Sequence, residues 1–338
     1  METIGQTEVA DRPLILSERW HLATLRREDL QQLIFASLVV AGLYVLFQFL
    51  GNTVMDVNSR SAFRWMVSRW GDRVSYGADY SHGYLIPFVS LFIIWYRRRE
   101  LWAAPKKVSY AGLGVVVLAL FLHWVGAKMQ QTRFSLMGLV LLIWGTPFYL
   151  LGWSVAKILI FPCAYLIFCI PLTFLDALTF PLKMLATSMA TVLLNGLGLA
   201  AQSVGSRIYL TENPEISFEI AAACSGLSSL LAMTALTSVY AYFTQKTLAR
   251  KWTLFFSSIP LAVIGNVVRV TTVFLVAQAF GERVAGGIYH DYSGYIVFSV
   301  AILLMLAIGT ALNMNHGEWR GKLRRLWLQP ARADGGRP

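Results

Sequence analysis

The chain has 338 residues, 56% of them hydrophobic and 14% charged, with a formal net charge of +11. That balance excludes an ordinary soluble domain, and its recurring long apolar runs mark a polytopic membrane protein. The basic residues stand in short clusters between those runs, as topology signals do, which argues against a nucleic-acid surface.

Residues 1–30 read as a cytoplasmic arm carrying Arg12, Arg19, Arg26 and Arg27. The arm has charges of both signs and lacks the short apolar core of a cleavable signal peptide. A single transmembrane domain is expected over 31–312, followed by a basic cytoplasmic tail over 313–338. The hydropathy pattern predicts an all-α domain with about eight spans, at about 31–50, 83–96, 108–126, 134–152, 156–172, 224–243, 253–279 and 291–312.

Between the first two spans, residues 58–73 form an amphipathic stretch. Phe63, Met66, Val67 and Trp70 share one face and Arg60, Arg64, Ser68 and Arg73 lie largely opposite, the pattern of a helix along the outer interface. Arg97, Arg98, Arg99, Lys106 and Lys107 then stop the second span on the inside. Pro162 interrupts the fifth, which is tolerated where neighbouring helices re-satisfy the backbone.

Residues 173–203 are apolar but carry Asp176, Pro181, Lys183 and Asn195. If they crossed the membrane, Lys246, Arg250, Lys251 and the basic tail would lie outside, against the positive-inside rule. They are therefore expected as outer interfacial helices, interfacial or re-entrant. Residues 207–220 read as a periplasmic β-hairpin turning at Glu212, Asn213 and Pro214, with Ile216, Phe218 and Ile220 on one face.

Cys163 and Cys169, two of the three cysteines, read as small core residues. Neither a CxxC pair nor an HxxxH or HExxH pattern is present, so no metal or other cofactor is expected. The third cysteine is placed differently. Cys224, followed by Ser225 and Gly226, stands where the strand alternation turns into the sixth span. A cysteine at the first turn of a membrane helix meets unpaired N–H groups and the positive end of the helix dipole, and both favour the thiolate.

Two more groups fall at the same expected depth. Arg269 sits in the outer half of the seventh span, with Asn266 before it, and an arginine inside an apolar span is a functional hypothesis by default. His290 opens the eighth span at the outer surface, with Ser293 and Gly294 on its helical face. Together they make an acyl-transfer set: Cys224 as nucleophile, His290 as general acid and base, and Arg269 as oxyanion or substrate-carbonyl stabiliser.

Ala223-Cys224-Ser225-Gly226-Leu227, then Pro260 through Asn266 and Arg269, then His290 with Gly294, resemble the exosortase/archaeosortase family. So do Ser81-His82-Gly83 and the pairs Phe161-Pro162 and Ile170-Pro171. The resemblance covers roughly residues 75 to 310 and implies a bacterial exosortase. It implies a membrane-embedded cysteine protease or transpeptidase with Cys224, Arg269 and His290 as its triad. Its substrates would be proteins with a C-terminal sorting signal: a Pro-Glu-Pro motif, one transmembrane helix, then basic residues. Cleavage would run through an acyl-thioester at the outer face of the inner membrane, with transfer to a surface or exopolysaccharide-linked acceptor.

Site-lining candidates are Asn266, Ser225, Gly226, His82 and Arg133. Among the outer cations Lys128, Arg133 and Arg207, Arg133 is favoured for an acidic motif, and 173–203 is expected to line a lateral opening. The residues alone leave two alternatives: a polysaccharide transporter or export scaffold, and a histidine-dependent membrane O-acyltransferase. Apart from Arg269, with His123 near the end of the third span, the spans hold almost none of the midplane ionisable groups a transport path uses.

Overall fold

In lipid, a helix satisfies its own backbone hydrogen bonds without help from water. The described chain accordingly folds mostly as helices. The computed structural model describes residues 27–52, 60–71, 80–171, 174–212, 217–219, 227–285 and 290–314. The helices are α1 (Arg27–Phe49), α2 (Ala62–Gly71), α3 (Ile86–Tyr96), α4 (Arg98–Ala103), α5 (Tyr110–Lys128) and α6 (Thr132–Leu151). They continue as α7 (Trp153–Tyr165), α8 (Phe174–Gly196), α9 (Leu227–Thr244), α10 (Leu248–Phe280), α11 (Glu282–Val284) and α12 (His290–Asn313). Short 3-10 turns at Ser81–Tyr84 and Leu166–Cys169 lead towards α3 and out of α7.

Among the described residues, four helices, α5, α6, α10 and α12, are long and apolar enough to cross a membrane. Shorter apolar helical stretches occupy Ile34–Phe49, Ser81–Tyr96, Trp153–Cys169 and Leu230–Thr244. Length and composition thus establish a multi-pass membrane protein with four such helices.

Three expectations change in detail. Residues 174–196 form one continuous helix, α8, with Pro181 inside it. The hairpin is part of a larger antiparallel sheet, in which β1 (Ala201–Val204), β2 (Arg207–Leu210) and β3 (Ser217–Glu219) lie side by side. Ala201 pairs with Leu210, and Ile208 pairs with Phe218. Strand β1 hid in the sequence because its neighbours are apolar and helical. Its turn to β2 uses Gly205 at φ +61°, a conformation glycine adopts without strain. The expected turn at 213–214 lies outside the described residues.

The third change concerns α2. Its buried face is Ala62, Trp65 and Trp70, whereas Val67 is exposed. The helix is locked to protein: Trp70 Nε1 donates to the Cys169 carbonyl at 2.7 Å. Cys163 and Cys169 are both buried, as expected. Ser90 Oγ donates to the Pro162 carbonyl at 2.7 Å, tying α3 to the proline-bearing turn of α7.

One end of the molecule gathers basic residues. Arg97, between α3 and α4, donates through Nη1 to the Tyr242 hydroxyl of α9 at 2.6 Å. Lys251 Nζ of α10 lies 5.0 Å from the centroid of the same Tyr242 ring. Arg97 also pairs with Glu100. The hydrogen bonds to Glu100 and then Tyr242 raise the Arg97 pKa, and Arg97 in turn lowers that of Glu100.

Candidate functional site

Helix α10 organises the candidate site. Thr247 caps its start by accepting from the Arg250 N–H at 3.4 Å, and Gly281 at φ +86° ends it. Its 33 residues make a rod of about 50 Å, longer than the hydrocarbon core of a bilayer. Lys251 stands at the basic end, and Arg269 lies about 27 Å further along the axis, close to one hydrocarbon thickness.

Each face of α10 has its own partner. Val267, Val270, Val273, Phe274 and Ala277 pack against Ala186, Ala190 and Leu194 of α8 and against Ala201, Ile208 and Leu210 of the sheet. Leu254 and Leu261 pack with Met233 and Ala241 of α9 and with Ala301 and Met305 of α12. A cavity of ≈ 300 Å³ opens between α10 and α12, lined by Ile264, Gly265, Val268, Thr272, Ser293 and Val297 among others. Its residues lie on the side of α10 away from α8. This cavity is thus on the α12 side of α10, and α8 packs on the other face.

Arg269 bonds to Ser293, one of the residues that line this cavity. Its Nε donates to Ser293 Oγ of α12 at 3.2 Å, and Ser293 is buried. A Cβ at Gly294 would stand 3.5 Å from Arg269 Cζ. The guanidinium therefore lies against a stretch of α12 that has no side chain at that point. Bonding to a partner helix is how an ionisable group is accommodated at membrane depth. His290 is the first residue of α12, three residues ahead of Ser293 and so one helical turn away along the backbone. Its side chain lies outside the described set.

Asn266 precedes Arg269 by one turn. It is 7% exposed, and its Nδ2 has no hydrogen-bond partner among the described residues. A buried donor left unpaired costs on the order of 1–3 kcal/mol, so it calls for an explanation.

Cys224, Ser225 and Gly226 lie outside the described residues. Helix α9 begins at Leu227, three residues after Cys224 in sequence. His82 stands beside Tyr80, and Arg133 stands between Pro171 and Trp65 of α2. The His82 carbonyl accepts from the Leu85 N–H at 3.0 Å, and the His82 ring lies 5.9 Å from that of Tyr80. Arg133 Nε donates to the Pro171 carbonyl at 3.0 Å, and its guanidinium lies 5.9 Å from the centre of the Trp65 ring. Arg69 lies 5.2 Å from that ring. Trp65 was missed in the sequence because an amphipathic count that includes Val67 rotates the apolar face away from it. Ser293 was legible as a neighbour of His290, but its bond to Arg269 required the crossing of α10 and α12.

The family model for transmembrane exosortases matches residues 70–307. No curated protein and no solved structure matches the chain.

Proposed function

Since the chain belongs to the transmembrane exosortase family, we propose that it is a membrane-embedded cysteine protease and transpeptidase acting on C-terminal sorting signals. The observation that carries the reading is the Arg269–Ser293 bond, which ties a cation inside α10 to the first turns of the helix that His290 opens.

The Cys224 thiolate attacks the carbonyl carbon of a substrate peptide bond. A C–S bond forms, and the carbonyl π electrons move to oxygen. Arg269 stabilises that oxyanion. On collapse the C–N bond breaks, and the His290 imidazolium gives its proton to the departing amine. A thioester remains on Cys224. Water, an amine or a hydroxyl then attacks it, His290 takes the attacking group's proton, and the thiolate departs.

The substrate carries a Pro-Glu-Pro motif, an apolar helix and a basic tail. It meets the site at the periplasmic face of the inner membrane of a bacterium. Eight crossings with an inner N-terminus give that orientation. They are supported by the grouping of Arg97 and Lys251 around Tyr242 at one end and by the roughly one-bilayer distance from there to Arg269. The apolar cavity beside Arg269 supports access from the lipid.

The test co-expresses a reporter bearing such a signal with the full chain and reads its mass. The expected result is a shortened reporter carrying water or an acceptor at its new C-terminus, and full-length reporter with Cys224→Ala. Normal processing by Cys224→Ala would remove the nucleophile and the reading with it.

A further inference from the structure

We infer that the cavity between α10 and α12 seats one acyl chain of a membrane phospholipid, with the headgroup at the Arg269 end. The inference makes no use of the acyl-transfer reading. Its first support is the course of the cavity. Arg269 meets Ser293, a Cβ at Gly265 would meet Val297, and Leu261 shares a core cluster with Ala301, in steps of four residues that run in opposite directions on the two helices. The helices are therefore antiparallel and side by side here. The cavity follows them from Thr272 and Ser293 at one end to Leu261 and Leu304 at the other. Over either stretch the helix axis advances about 16 Å. One leaflet of hydrocarbon is ~15 Å deep.

The second support is polarity. Thr272 and Ser293 bring hydroxyls to one end, and every other described lining residue is aliphatic or glycine. The Arg269 guanidinium, through its bond to Ser293, adds positive charge at the hydroxyl end. Arg269 stands about 27 Å along α10 from Lys251, near the boundary where the ester and phosphate groups of a phospholipid begin. A phosphodiester complements that charge, and its acyl chain runs from there into the apolar part of the cavity.

Size decides the occupant. The volume of ≈ 300 Å³ holds about ten methylenes, each roughly as large as a water molecule at ~30 Å³. A helix about 10 Å across would need roughly 1,200 Å³ for the same length. Water does not fill an apolar cavity of this kind. Ile264, Ile296 and Val300 line the cavity and are half or more exposed, so it opens sideways to the bilayer. Lipid tails are as apolar as these walls, so no hydrophobic force holds the chain. Dispersion contact with two helices and the charge at the headgroup hold it.

The test uses the full chain in nanodiscs of phosphatidylglycerol that contain a trace of the same lipid with a diazirine in mid-chain. After illumination, digestion and mass spectrometry give the label on each segment. The expected result is label concentrated on 261–272 and 293–304, above that on the exposed face of α5 at Val117, Leu118 and Phe121. Val300→Trp fills the groove and should bring its label down to the α5 level. Leu303→Trp, beside it on the exposed face of α12, should leave the label unchanged. A diazirine acyl methyl ester, which lacks the phosphate, should give a lower ratio of groove to α5 label.

Label spread over the lipid-facing helices in proportion to their exposure overturns the inference. So does groove label that survives Val300→Trp. An equal ratio for the two probes overturns the headgroup's place at Arg269. Loss of groove label on adding the sorting-signal peptide would give the groove to a substrate helix and overturn the lipid as its occupant. The assay reads no cleavage, so Cys224→Ala should label as wild type does even if the acyl-transfer reading fails.

Discussion

The α5–α6 pair and the α10–α12 pair are both long apolar helices packed side by side, yet they are built in opposite ways. Between α5 and α6 the backbones nearly touch: a Cβ at Gly112 would lie 2.3 Å from the Tyr149 amide nitrogen. Ala119, Leu136, Val140 and Leu142 fill this part of the core. A polar contact within the pair, His123 Nδ1 with Ser135 Oγ at 2.6 Å, is satisfied locally. Between α10 and α12 there is a cavity and a guanidinium bonded to a buried serine, and α10 also carries an asparagine amide with no partner among the described residues.

Lipid gives helices no hydrophobic reason to associate, so close contact through small residues is what holds a scaffold pair together. A pair that gives up such contact and retains unpaired polar groups loses stability. On the proposed function, the difference separates the part of the molecule that holds the shape from the part that meets the substrate.

That contrast can be broken most sharply at Arg269. Arg269→Gln should lower reporter cleavage by about 10²–10³-fold while the protein stays folded in the membrane, as shown by an unchanged melting temperature. Arg269→Lys should not rescue it, because the ammonium lacks the Nε–H that reaches Ser293 and the planar fork of donors. A scaffold change should behave in the reverse manner. Gly112→Val drives a side chain into the α6 backbone and should cost about 1–3 kcal/mol or more of stability. It should lower the yield of folded protein while leaving the activity per folded molecule near wild type.

Smaller effects refine the comparison. Ser293→Ala removes the acceptor of a charged donor and should slow cleavage about tenfold, since such a bond contributes roughly 1.5–3 kcal/mol at most. Gly294→Ala adds only an ordinary contact at 3.5 Å and should be close to silent, whereas Gly294→Leu should displace the guanidinium and slow cleavage.

The smallest effect is expected at Glu100. Arg97 holds its carboxyl below the usual range, so the pair's stabilisation is present above the unfolded pKa of the carboxyl. It is lost as pH falls through the lower, folded value. Glu100→Gln should therefore lower the melting temperature slightly at neutral pH, and the gap to wild type should close in acid. The shift is small because the pair is solvent-screened.

Features set by local chemistry were legible in the sequence. The apolar runs, the basic stops around Arg97 and Lys251, and the β2–β3 alternation all follow from one-dimensional patterns. Arg269 stood out because a cation in an apolar helix has few harmless explanations. Features that depend on how distant segments meet were hidden. Strand β1 reads as apolar chain until Ile208 and Leu210 provide a neighbour. The burial of Trp65 is set by the 3-10 turns and α6 beneath α2. The orphaned state of Asn266 is visible only when each surrounding side chain has been placed. Residues 173–203 were placed at an interface from charge counting, and that argument contains nothing about which face of α10 they would cover.

The central claim is a covalent one, and intact-protein mass spectrometry tests it most directly. The full chain is mixed with the sorting-signal peptide, quenched in acid and weighed, then treated with hydroxylamine. The account predicts an added mass equal to the N-terminal fragment of the peptide. The adduct should map to Cys224, be removed by hydroxylamine, and be absent from Cys224→Ala. Cleaved peptide produced by Cys224→Ala, or an acyl group found on another residue, would contradict it.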